Sequence, residues 1–143
     1  MRFMVLMIPG AKKEVEAGAL PDPKAIEAMM KYNSELSKAG VLLALDGLQA
    51  TSKGARLTFK GGKPTVKDGP FTEARELIGG YWMWQVKSKD EAVEWAKRCP
   101  AADGDTLELR QVFEMSDFGP EVGGQEAGRV AEIGAGVERN KQR

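Results

Sequence analysis

Residues 77–86 contain Tyr81, Trp82, Met83 and Trp84, and this run constrains the fold more than any other segment. It is strand chemistry, with Trp82 and Trp84 on one face at a period of two. Directly after it, Ser88-Lys89-Asp90-Glu91 reads as a capping box, Ser88 at the N-cap and Glu91 three positions on. Ala92, Trp95, Ala96 and Cys99 then recur on one helical face, and Pro100 ends the helix. Residues 107–113 alternate apolar and charged, as a half-exposed last strand does.

The first half of the chain follows the same order. Residues 3–8 are a continuous apolar run, which reads as a strand buried on both faces. Residues 10–20 are polar and small and read as a loop. Asp22-Pro23 starts a helix, with Asp at the N-cap and Pro at the first helical position. Ile26, Met29, Met30 and Leu36 recur at helical spacing and Gly40 supplies a stop, so the helix spans residues 23–39, with Met29 and Met30 as core filling. Residues 41–45 form a second apolar strand ended by Asp46-Gly47. Residues 55–59 and 63–67 flank Gly61-Gly62 as a β-hairpin.

The order strand, helix, strand, hairpin, strand, helix, strand predicts an α+β fold. It is a ferredoxin-like antiparallel sheet with two helices on one face and an inserted β-hairpin. Helices on one side leave the other side bare. Trp82 and Trp84, or Tyr81 and Met83, would then form an exposed apolar patch. A second copy would cover it, so a homodimer is expected, closed face to face as a dimeric α+β barrel.

A length of 143 residues fits one domain, residues 1–118, followed by a glycine-rich tail, residues 119–143. Left alone, that tail should be disordered or loosely helical, and ordering it would take a partner. Twenty-one basic residues balance twenty-one acidic ones, which argues against nucleic-acid binding. The N-terminal apolar run is shorter than the roughly 20 residues a bilayer span needs and makes a poor signal peptide. One cysteine, Cys99, allows no intrachain disulfide and reads as a buried small hydrophobe. The expected location is cytoplasmic, with no membrane partner.

The chain has no histidine. A Ser-His-Asp triad, a Cys-His dyad and a histidine-based zinc site are therefore excluded within it. No phosphate-binding glycine motif and no calcium or zinc spacing occurs, so no cofactor or metal is expected. The candidates for chemistry are few. Asp68, beside Gly69, would act as a general base if aromatics such as Trp82 desolvated it; the alternative is a simple Asx-type turn. Asp46, at a strand end, is a second carboxylate that would share acid and base roles if it met Asp68. Arg75 with Glu73 and Glu76 would grip an anionic ligand, or form solvated ion pairs. Tyr81 and Trp82 would line an apolar pocket, or sit in the core or an interface.

The segment Asp68-Gly69-Pro70-Phe71-Thr72-Glu73-Ala74-Arg75-Glu76-Leu77-Ile78-Gly79-Gly80-Tyr81, continued by Ser88-Lys89-Asp90-Glu91-Ala92, resembles the signature of the DGPF branch of the YCII-related family. Ala44-Leu45-Asp46-Gly47-Leu48-Gln49 and Leu107-Glu108-Leu109-Arg110 fit it too, so the resemblance runs over about residues 1–115. It implies the dimeric α+β barrel fold, and the company of extracytoplasmic-function sigma factors, beside or fused to which such proteins often occur. The other branch carries a His-Asp pair proposed as catalytic, and one relative removes chloride from a chlorinated hydroquinone. Nothing resting on that pair transfers to a chain without histidine. Two readings follow. One is a dimeric module that binds a small molecule or a regulatory partner such as a sigma factor. The other is a small enzyme acting on an aromatic or lactone-like organic acid, with Asp68 as base, Arg75 as clamp and Trp82 as wall.

Overall fold

A computed structural model describes residues 1–71 and 77–143, and at positions 121–123 and 125 it describes the backbone alone. The described residues form two compact units, Met1–Gln111 and Val112–Arg143. In the first unit, β1 (Arg2–Ile8), β2 (Leu42–Gly47), β5 (Gly80–Gln85) and β6 (Thr106–Gln111) build one sheet in the order β2-β5-β1-β6. Every neighbouring pair in it is antiparallel. The chain passes from β1 to β2 through α1 (Lys12–Glu16) and α2 (Pro23–Lys38), and from β5 to β6 through α3 (Lys89–Lys97). Each crossover leaves one strand of the other crossover between its ends, which is the interleaved ferredoxin-like arrangement. The hairpin, β3 (Ala55–Lys60) and β4 (Lys63–Asp68), is a separate two-stranded sheet.

Register decides which face is core. Phe3 lies opposite Trp84, and Val5 lies opposite Trp82 on one side and Leu109 on the other. Phe3, Val5, Trp82 and Trp84 are all buried, together with Tyr32 and Leu36 of α2 and Ala92 of α3. The tryptophan-bearing face is thus the helix-covered one, and the expectation that these tryptophans would need a second copy to cover them is corrected. The Tyr32 ring meets Trp82 edge-on at 6.3 Å, and its hydroxyl donates to the Trp95 carbonyl at 2.7 Å, tying α2 to α3. Burial raises the Tyr32 phenol far above its usual range. The other face, free of α2 and α3, carries Met4, Leu6, Tyr81 and Met83, each half-buried. Strand β1 is therefore not buried on both faces as its unbroken apolar run suggested.

Smaller departures have local causes. The buried stripe of α2 runs through Met29, Tyr32 and Leu36, and helical geometry swings Met30 about 100° away from its neighbour, so that it is exposed rather than core filling. Asp22 caps this helix as expected, accepting the Ala25 N–H at 2.9 Å. Ser88 accepts the Glu91 N–H at 3.1 Å, while the Glu91 carboxylate accepts from Lys87, one residue earlier than a capping box requires. Residues 12–16 are helical where a loop was expected, because a single turn of Lys, Glu and Val is too short to show periodicity.

In the second unit, α4 (Gly119–Lys141) is a continuous helix in place of the disorder or loose helix its glycines suggest. Pro120 stands in its first turn, and ion pairs at i,i+3 join Glu126 to Arg129 and Glu138 to Lys141. No described helix is long and apolar enough to cross a membrane.

Candidate functional site

Three residues picked out by the sequence, Asp46, Tyr81 and Trp82, meet at one end of the sheet. There a cavity of about 260 Å³ opens between α2 and the strands. Its walls are apolar, from Met7, Met29, Leu45 and Trp82, and residues 46–47 of β2 with residues 79–81 at the start of β5 complete the rim. The one polar side chain contributed by α2 is Asn33, whose Oδ1 accepts the Trp82 indole N–H at 2.8 Å. The strands come close together here: a Cβ on Gly80 would lie 2.9 Å from the Asp46 carbonyl oxygen, so glycine alone fits this cross-strand contact.

Alternation along the strands sorts the side chains. Leu45 lies opposite Trp82 and Asp46 opposite Tyr81. Leu45 and Trp82 point to the helix side, so Asp46 and Tyr81 present backbone to the cavity and side chains to the face free of α2 and α3. On that face the Tyr81 hydroxyl donates to Asp46 Oδ2 at 2.7 Å. The hydrogen bond, and then the charge of Asp46, raise the Tyr81 phenol above its usual range. This cross-strand pair stands beside Met83 and Ala44, at the edge of an apolar surface.

Asp68 lies elsewhere. It ends β4 in the hairpin sheet, opposite Ala55, and is exposed. It has no place in the wall with Asp46 and Trp82, so the structure does not bring the two carboxylates together. The expected room for a ligand beside Gly69 is taken by the chain itself, since a Cβ there would fall 1.7 Å from the Thr51 carbonyl oxygen. Thr51 is the hub of a clamp. Its N–H and hydroxyl both donate to the Glu16 carboxylate, the former at 2.9 Å, and its Oγ1 accepts the Phe71 N–H at 2.9 Å. These bonds hold the Glu16 carboxyl below its usual range. The Arg56 guanidinium covers the Phe71 ring at 4.2 Å. Asp68-Gly69-Pro70-Phe71 therefore acts as a joint between α1, the turn at Thr51–Lys53 and the hairpin. Glu73, Arg75 and Glu76 lie outside the described residues.

Two wider cavities flank that turn, of about 570 Å³ and 310 Å³, and none of the described candidates Asp46, Asp68, Tyr81 and Trp82 lines either. Cys99 is half-buried against the core, and burial followed by the Asp105 charge pushes its thiol up to about 11, so the thiol is inert at neutral pH. Among the described residues no cluster of three or more cysteine, aspartate or glutamate side chains is placed to hold a metal ion.

A model of the YCII-related domain matches residues 1–116. The chain belongs to the YCII-related family. None of the curated proteins matches it. The YCII-related domain thus takes in the whole sheet, all three of its helices and the cleft at the α2 end, while all but the first residues of the second unit lie beyond it. Asn33 was missed in the sequence. Its signal was there: it stands four residues after Met29 and three before Leu36, a polar residue on the apolar face of a helix.

Proposed function

We propose that the chain is a small-molecule-binding module of the YCII-related family, that its ligand sits in the cleft between α2, β2 and β5, and that it works as a homodimer. The observation behind the binding reading is the form of that cleft. Among the described residues the walls are mostly apolar, and the polar side chain that α2 adds to them, Asn33, is held in place by the Trp82 indole. Apolar lining with a few fixed polar groups is the usual make-up of a small-molecule site. The enzymatic alternative draws no support from this arrangement, because Asp68 is exposed in a different sheet. A fragment screen by protein-observed NMR tests the reading. Binders should shift the Trp82 indole N–H, and Leu45→Trp, which fills the cleft from its half-open wall, should weaken them at least about tenfold without unfolding the chain. Binders that ignore Leu45→Trp would place the ligand elsewhere.

The homodimer is supported by the face that α2 and α3 leave uncovered, where Met4, Leu6 and Met83 share one side of the central strands. Sedimentation at micromolar concentration should give twice the chain mass of 15.5 kDa, and Met83→Glu should return it to the single mass. A wild-type chain that sediments as a folded monomer rules the dimer out.

A further inference from the structure

We infer that the cleft selects a neutral molecule with an apolar body and one hydrogen-bond acceptor, and that Asn33 is the residue that reads that acceptor. This rests on the reading of the cleft as a ligand site and goes on to name the ligand's chemistry.

The argument begins with the indole. An indole N–H only donates, so the atom of Asn33 that faces it must be the carbonyl oxygen. That fixes the amide. With one lone pair of Oδ1 engaged by Trp82, the Asn33 side chain offers a ligand both N–H groups of its NH₂ against at most one lone pair, so it favours an acceptor. The bond to Trp82 also removes the freedom of the amide to turn over and offer its oxygen instead. Trp82 is buried and locked between Tyr32 and Trp84, at ring separations of 6.3 and 6.2 Å, so the anchor itself does not move.

Charge then narrows the choice. Among the described residues no lysine or arginine lines the cleft, and the one charged residue there, Asp46, turns its side chain to the opposite face. An anion entering would lose water without gaining a counter-charge, and a cation would find no carboxylate. This argues against an organic acid as the ligand of this cleft. Volume sets the size. About 260 Å³ equals the share of roughly nine water molecules, which suits a ligand of about ten non-hydrogen atoms.

Three probes of similar shape test the inference on the full chain: acetophenone, which carries a neutral acceptor; ethylbenzene, which lacks it; and benzoate, which is charged. Binding is read from the Trp82 indole N–H resonance, assigned by its loss in Trp82→Phe. Acetophenone should bind about fivefold or more tightly than ethylbenzene, the worth of one neutral hydrogen bond, and at least about tenfold more tightly than benzoate. Asn33→Asp keeps an oxygen for the indole and removes the NH₂, so it should abolish the preference for acetophenone. Asn33→Leu removes both groups and leaves the indole N–H as the donor there, so it should reduce the preference for acetophenone, which keeps the test independent of whether the aspartate variant folds. Benzoate binding as tightly as acetophenone, or a preference unchanged in both variants, overturns the inference and leaves the cleft as a ligand site. If none of the three probes shifts the Trp82 resonance at millimolar concentration, the site reading fails and takes the inference with it.

Discussion

Trp84→Ala should lower the unfolding free energy by about 4 kcal/mol, read as a shift of the urea midpoint with an unchanged slope. Trp84 is fully buried, lies opposite Phe3 on β1 and Leu42 on β2, and packs its ring 6.2 Å from that of Trp82. Removing it opens a hole under both helices that a central strand cannot close by moving. A second variant separates volume from polarity. The Trp84 indole N–H is buried and has no hydrogen-bond partner among the described residues, and a stranded donor costs about 1–3 kcal/mol. Trp84→Phe removes that donor along with part of the volume, so its net cost should be about 1 kcal/mol or less. Trp82→Phe does the opposite, because it strands Asn33 Oδ1. Had the tryptophan face been the dimer surface, Trp84→Ala would separate subunits and leave each folded. A variant that becomes monomeric with full stability would therefore reverse the assignment of the two sheet faces.

That assignment marks the limit of what the sequence could tell. Period two put Trp82 and Trp84 together and Tyr81 and Met83 together, and both statements hold in the sheet. Which pair faces the helices depends on register against β1, where Phe3 and Val5 sit, and no local pattern carries that information. The same gap explains the site. Asp46 and Tyr81 were singled out separately, and only the pairing of β2 with β5 makes them a hydrogen-bonded couple. Asp68 stayed open between a base and a turn because an aspartate beside glycine is the same text whether it shapes a turn or meets a ligand. Asn33 was not singled out because its partner is 49 residues away. The element order was legible, since caps, periodicity and turn residues act over a few positions. The sites were not, since they are made by contacts between distant strands and helices.

Gly69→Ala should cost about 3 kcal/mol or more, lowering the melting temperature by about 10 °C. The added Cβ would stand 1.7 Å from the Thr51 carbonyl oxygen and 2.5 Å from its carbon, and it is backbone, not a side-chain tip, that would have to yield. Thr51 cannot step aside cheaply, because its N–H and hydroxyl are bound to Glu16 and its Oγ1 receives the Phe71 N–H. Gly62→Ala is the control: its φ of +76° disfavours alanine but nothing lies within 4 Å, so about 1 kcal/mol is expected. Acid probes the same clamp from its other end. The Glu16 carboxyl is held below its usual range in the folded chain, so its contribution is present above the unfolded pKa and is lost as pH falls through the folded one. In Gly69→Ala the clamp is already displaced, and the acid-induced loss of stability should be smaller than in the wild type. An alanine variant of native stability that had lost ligand binding would show instead that the space at Gly69 belongs to a ligand, and the joint formed by Asp68-Gly69-Pro70-Phe71 would have to be read again as a site.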